Sequence, residues 1–182
     1  RVLFRSAFLF SYVGEGWGQS VSTTYTNNNG STASVFTFYN SNSYSITINS
    51  IGSYAGSTGS QTAQFWTKPV SGYNLASNAA VSTANGWTLQ ASQTVSTTAN
   101  TTSTAGSAAP IILSGLNVII PANSYYLFAV SLSVSLRYST LGTQQAIWTS
   151  NGCSINCGAS NGFGGTLASP LNTPRSEEHT SE

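Results

Sequence analysis

Between residues 124 and 139 the chain alternates apolar and polar positions over an unusual length. Tyr126, Phe128, Val130, Leu132, Val134, Leu136 and Tyr138 share one parity, and Ser131, Ser133, Ser135 and Arg137 share the other. A period of two places successive side chains on opposite faces, so this stretch predicts a long strand with one buried face. The second parity begins with Tyr125, Leu127 and Ala129 before turning polar. The first half of the strand is therefore expected to be covered on both faces, the second half on one. Upstream, Ile111, Leu113, Leu116, Val118 and Ile120 suggest a partner strand, with Pro121-Ala122-Asn123-Ser124 as the turn of a central hairpin.

The same pattern recurs in shorter runs. Ala7 to Val13 is apolar and β-prone, Gly14 to Gly18 reads as a loop, and Ser20 to Thr26 alternates weakly. Asn27 to Gly30 is a turn signal. Ala33 to Tyr39 and Tyr44 to Ser50 are two alternating runs joined by a short linker, which suggests an antiparallel hairpin. Thr62 to Lys68 predicts a strand ending at Pro69, and Trp87 to Ala91 another that extends to Val95. A short strand is expected around Gln144 to Thr149, ahead of a cysteine-containing loop and the Gly-rich stretch Gly158 to Gly165. Ser71 to Gly86 reads as an extended connection, and Thr97 to Ala109 as a low-complexity Thr/Ser/Ala loop. Sustained helical periodicity is missing throughout. Many short strands with frequent turn signals predict an all-β fold: an antiparallel β-sandwich of jelly-roll or Ig-like type.

Composition sharpens this picture. Seven of the ten Asp, Glu, Lys, Arg and His residues lie in RVLFRS at the start and RSEEHTSE at the end. Both ends resemble translations of short sequencing adapters. The expectation is thus a single domain over residues 7–174, flanked by adapter-like segments 1–6 and 175–182, from a fragment of an environmental open reading frame. The interior keeps only Glu15, Lys68 and Arg137 as charges. At 40% hydrophobic residues and a net charge of +1, the chain is expected to pack a core and not to remain disordered. An uncharged surface of hydroxyls and amides suits a secreted or cell-surface protein. Nucleic acid and anionic membranes, which bind basic patches, are poor partners. No apolar run approaches the roughly 20 residues of a spanning helix, so membrane insertion is not expected.

The interior offers little for catalysis. Glycoside hydrolysis needs a pair of carboxylates, and Glu15 stands alone; nucleophilic triads need a His or Asp that the interior lacks. Neither metal nor cofactor is expected, and the chain reads as a non-enzyme. Cys153 and Cys157, spaced C-x3-C, are expected either to close a small disulfide loop or to remain two thiols. For binding, Trp66 is the leading candidate. It shares parity with Thr62, Gln64 and Lys68, which would set an indole among polar side chains as a sugar platform; the alternative is a Trp packed beneath a loop or sheet edge. Trp148 is a second candidate with undecided facing, and Trp87, alongside Leu89 and Ala91, reads as core. Arg137, on the polar face of the long strand, reads as a guard against edge pairing.

GWTLQASQTVS (86–96), LSGLNVIIPANSYYLF (113–128) and GFGGTLASPLNTPR (162–175) together resemble β-sandwich modules of large secreted and cell-surface bacterial proteins, many of which carry C-terminal sorting signals. The resemblance spans residues 33–175. It implies a final strand after Pro174-Arg175, where the adapter-like tail begins instead, so a truncated sandwich with an open edge is expected. The Ser/Thr/Ala loop and the two cysteines depart from the family pattern. The resemblance implies a non-catalytic structural or adhesive module, extracellular or at the cell surface. The alternatives are a carbohydrate-binding module using exposed aromatics, or a filament or matrix subunit assembled by strand pairing. The corresponding partners are polysaccharide, or neighbouring copies and domains of the same surface protein.

Overall fold

The computed structural model describes residues 9–14, 17–22, 29–73, 81–100, 109–138 and 147–156. These residues form eleven strands: β1 (Leu9–Gly14), β2 (Trp17–Ser22), β3 (Asn29–Asn40), β4 (Ile46–Gly52), β5 (Gly59–Val70), β6 (Thr88–Thr97), β7 (Ile111–Leu113), β8 (Val118–Ile120), β9 (Ser124–Tyr138), β10 (Ile147–Ser150) and β11 (Cys153–Asn156). One 3-10 turn (Thr83–Asn85) precedes β6. Every strand pairing is antiparallel. A five-stranded sheet runs β2-β1-β4-β7, with β8 also paired to β4, and a six-stranded sheet runs β10-β11-β3-β9-β5-β6. The protein is an all-β antiparallel sandwich whose two sheets do not close into a barrel.

The core lies between the sheets. Phe36, Phe38, Phe65, Phe128, Val130 and Leu132 from the larger sheet meet Ile46, Ile48, Ile51, Leu113, Val118 and Ile120 from the smaller one. Phe128 is its centre, stacked on Phe38 (centroids 4.8 Å apart) and edge-on to Phe65 (4.9 Å) and Phe36 (5.8 Å). As expected, β9 is covered on both faces at first. Leu127 and Ala129 join Val35, Trp66, Val81 and Trp87 in a second apolar cluster on the outer face of the large sheet. Ser133 then opens to solvent.

The two expected hairpins are not hairpins. β9 pairs with β3 and β5, whereas β7 and β8 pair with β4 in the other sheet. Likewise β3 and β4 lie in different sheets. Both short connections are arches that carry the chain across the sandwich. Alternation fixes which face of a strand is buried, and leaves open whether the chain turns back within its own sheet.

What sets the arches is Asn40, fully buried at the end of β3. Its amide nitrogen donates to the carbonyls of Tyr44 (3.0 Å), Ile120 (3.3 Å) and Pro121 (2.9 Å), so one side chain ties both crossings together. Its Oδ1 accepts from the backbone N–H and the side-chain amide of Asn42 (3.1 and 3.0 Å). Asn123, at φ 49° in the second arch, donates its N–H to the Asn42 carbonyl.

Smaller differences have local causes. The expected cysteine loop is instead the β10–β11 hairpin, turning at Asn151-Gly152 with φ 52° and 71°. Positive φ at both central residues is the backbone of a type I′ turn, one of the two favoured for a two-residue hairpin loop. Trp17 and Gly18 lie in β2 and not in a loop. Pro69 lies within β5 and not past its end, beyond the last residue pair with β6. Arg137 does not guard an edge: its backbone N–H donates to the Tyr54 carbonyl (2.9 Å), and Gly30 is its partner on the other side. The adapter-like ends, Cys157, the Gly-rich stretch 158–165 and the closing segment 166–174 lie outside the described residues.

Candidate functional site

The core ends where its inward-facing residues change character. Along β5 the inward positions pass from Ala63 and Phe65 to Thr67 and Pro69; along β9, Phe128 gives way to Tyr126, the partner of Pro69. Beyond Phe65 and Phe128 the space between the sheets is no longer filled. It opens as a groove of about 400 Å³ lined by Thr67, Pro69, Thr88, Gln90, Asn117, Val118, Ile119 and Tyr126.

A bulge shapes one wall. Phe65 faces Ala91 and Trp66 faces Leu89, so β6 carries Gln90 as an extra residue. Bulges re-aim side chains at sheet rims. Here Gln90 is brought to the groove, where its amide donates to Thr67 Oγ1 at 2.7 Å. The same bulge parts Leu89 from Ala91, which sequence parity had grouped: Leu89 pairs with Trp66 of the outer face and is 41% exposed, whereas Ala91 pairs with Phe65 and packs against the core. The opposite wall is the β8 edge, with Asn117 exposed and Ile119 the most exposed large apolar residue described, at 60%.

The lining holds hydroxyls, amides, a half-buried phenol ring and no charged side chain. The nearby cation, Lys68, is directed elsewhere, its Nζ donating to the Asn85 carbonyl at 2.8 Å. Such a groove suits a neutral ligand that offers hydroxyls to the amides and a flat apolar face to a ring.

The two tryptophans singled out in the sequence are not brought together and do not line this groove. Trp66 is only 9% exposed: it packs with Val81 and Trp87 from the stretch leading into β6, and its Nε1 donates to Gln64 Oε1 (3.3 Å). The parity argument correctly put it on the outer face, but that face is covered. Trp148 is half-buried against the main core, opposite Ile155. Cys153 is buried, with its Sγ accepting from the Asn42 amide at 3.7 Å; its pairing with Cys157 lies outside the described residues.

Sequence reasoning missed Tyr126, Gln90 and Asn117. Tyr126 sits on the parity read as core, and only the change from Phe65 to Thr67 and Pro69 on the neighbouring strand signals that the core stops there.

A second aromatic group lies on the outer face of the large sheet. Tyr39 and Tyr125 stack with centroids 4.0 Å apart, and Tyr73 meets Tyr125 edge-on at 5.2 Å while its hydroxyl lies 3.2 Å from Ser154 Oγ. Desolvation first, then the neighbouring Tyr39 and Tyr73, push the Tyr125 phenol above its ordinary pKa of 10.0.

Among the described residues no group of three or more His, Cys, Asp or Glu could hold a metal, and no helix is long and apolar enough to cross a membrane. No family model, curated protein or solved structure matches the chain.

Proposed function

We propose that this chain is a non-catalytic structural or adhesive module of a secreted bacterial surface protein. The observation that carries the reading is the direction of its buried and half-buried polar side chains. Asn40 donates to its own chain at Tyr44, Ile120 and Pro121, Gln93 to Ser114, Thr97 to Ser57 and Lys68 to Asn85, each bonding a backbone carbonyl. Polar groups used this way fix the sandwich and its crossings and are not held ready for a reacting molecule. The uncharged hydroxyl and amide surface, and the resemblance to surface-protein modules, support the extracellular setting.

The groove favours a second reading, a carbohydrate-binding module that recognises a neutral glycan through Tyr126, Gln90 and Asn117. Both readings are tested by mixing the purified chain with a panel of insoluble polysaccharides, sedimenting, and assaying the supernatant for released sugars. The structural reading expects the protein to stay in solution and no sugar to be released. Retention that falls at least tenfold in Tyr126→Ala, with the fold intact by circular dichroism, transfers the function to the groove. Sugar release abolished by Gln90→Ala would overturn the non-catalytic assignment altogether.

A further inference from the structure

We propose that β6 is a self-pairing edge through which two copies of this chain join their six-stranded sheets into one continuous sheet. The inference rests on the structural-module reading and supplies its partner: a second copy.

Edge strands in soluble proteins are ordinarily blunted by charge, proline, brevity or distortion. The edges described here differ on this measure. β10 has four residues, β2 has six with Gly18 among them, and β7 and β8 have three each, separated by a loop through Gly115 at φ 64°. β6 has ten residues, Thr88 to Thr97, and pairs only with β5 among the described residues. Its sequence, TLQASQTVST, contains no charge, proline or glycine, and past the bulge at Gln90 the seven residues from Ala91 to Thr97 pair with β5 without interruption.

The strand is also held in place. At the rim of the sandwich, Gln93 clasps the segment that follows β7 in the opposite sheet: its amide donates to the Ser114 carbonyl (2.8 Å) and its Oε1 accepts the Ser114 N–H (3.2 Å). At the far end Thr97 donates to the Ser57 carbonyl (2.7 Å), and the next turn is fixed by the Ala99 N–H donating to Thr58 Oγ1 (2.9 Å). At the near end Trp87 is buried. An edge anchored at both ends and in the middle presents its outer row of backbone groups already ordered, which lowers the entropy lost when another strand adds.

The occupant is argued from the strand's own pattern. Within the stretch past the bulge, two copies of β6 related by a two-fold axis through Gln93 would set Ser92 opposite Thr94, Ala91 opposite Val95 and Gln93 opposite its own copy. Hydroxyls then meet on the outer face, where Ser92 and Thr94 are exposed, and small apolar groups flank the paired amides on the inner face. With no charge on the strand, two identical copies meet without repulsion. An isologous contact of this kind closes at a dimer and does not propagate.

A single strand pair falls at the small end of protein interfaces, under about 1,200 Å² in all, so the association is expected to be weak and concentration-dependent. Sedimentation velocity on the full chain, from about 1 µM to about 1 mM, is expected to show monomer giving way to dimer. In S92K/T94K each new lysine faces another across the axis, and the dimer is expected to be lost over this range while the monomer stays folded. S92E/T94E should behave alike, and an equimolar mixture of the two should recover a heterodimer. A monomer at every concentration, a dimer untouched by the lysine pair, or a mixture that fails to recover would each overturn the proposal. The polysaccharide assay reads none of these results, so failure of the edge and failure of the module reading are told apart.

Discussion

Asn40 is the residue on which the topology depends. A buried amide that serves three backbone carbonyls and receives two N–H groups replaces the water those groups would otherwise need at two chain crossings. Asn40→Ala leaves the Ile120 and Pro121 carbonyls without this donor, and the expected loss is about 2–4 kcal/mol, read as a lowered urea midpoint with an unchanged slope. An accompanying change in slope would show instead that the two arches had come apart and the native state had loosened. The neighbouring hairpin adds a constraint that leucine-counting would never find. Gly152 sits at φ 71°, and a Cβ there would meet the Asn42 side chain, so only glycine lets the β10–β11 turn press against the first arch. In the sequence, Asn40 stood in an Asn/Ser-rich linker that looked like ordinary turn chemistry. Its role depends on Ile120 and Pro121, eighty residues away, and no local pattern encodes that distance.

At the scale of the element, β9 is the strand that was most legible, because one parity stays apolar or aromatic from Tyr126 to Tyr138 and its neighbours on both sides bury Phe128, Val130 and Leu132 as that pattern says they should. Phe128 lies between β3 and β5 and touches an aromatic ring from each. Phe128→Ala is expected to cost about 3–5 kcal/mol, since three rings around one cavity can collapse only in part. Phe128→Leu should recover at least half of that; thermal melts of the two variants against the parent decide it. Partners were less legible than faces. The pattern that gave β9 its buried side also gave β7 and β8 theirs, but the step across the sandwich was hidden because Pro121-Ala122-Asn123-Ser124 serves an arch as readily as a hairpin. The groove was hidden for a related reason. Tyr126 continues a core parity, and the bulge at Gln90 that opens the wall appears only when β5 and β6 are set side by side. Trp66 was open to two readings, a platform among polar neighbours or a ring packed under a loop, and its contacts with Val81 and Trp87 give the second.

The whole molecule is held almost without charge, and this has a consequence for its pH response. Side-chain carboxylates are limited to Glu15, Glu177, Glu178 and Glu182, and the only histidine is His179. Acid unfolding ordinarily comes from protonating carboxylates paired in the native state or from charging buried histidines. Lys68 and Arg137 are the only Asp, Glu, Lys or Arg residues among those described, and Lys68 bonds a carbonyl and not a carboxylate. Stability is therefore expected to be flat across the range where such groups titrate, from roughly pH 4 to pH 7. The alkaline side differs. The Tyr125 phenol is raised above 10.0 in the folded protein by desolvation and by Tyr39 and Tyr73, so above that pH the unfolded chain gives up this proton more readily than the folded one. The unfolded state then holds fewer protons, the slope of stability with pH turns negative, and stability present below pH 10 is lost as the pH rises through the folded value. Urea midpoints measured between pH 4 and pH 11.5 should trace a plateau followed by a fall. In Tyr125→Phe the fall should become shallower, and the late-ionising component of the 295 nm phenolate titration should disappear. A midpoint that drops in acid would show that one of the few carboxylates is paired in the native state. An alkaline fall unchanged in Tyr125→Phe would locate the responsible phenol elsewhere than in the Tyr39–Tyr125 stack.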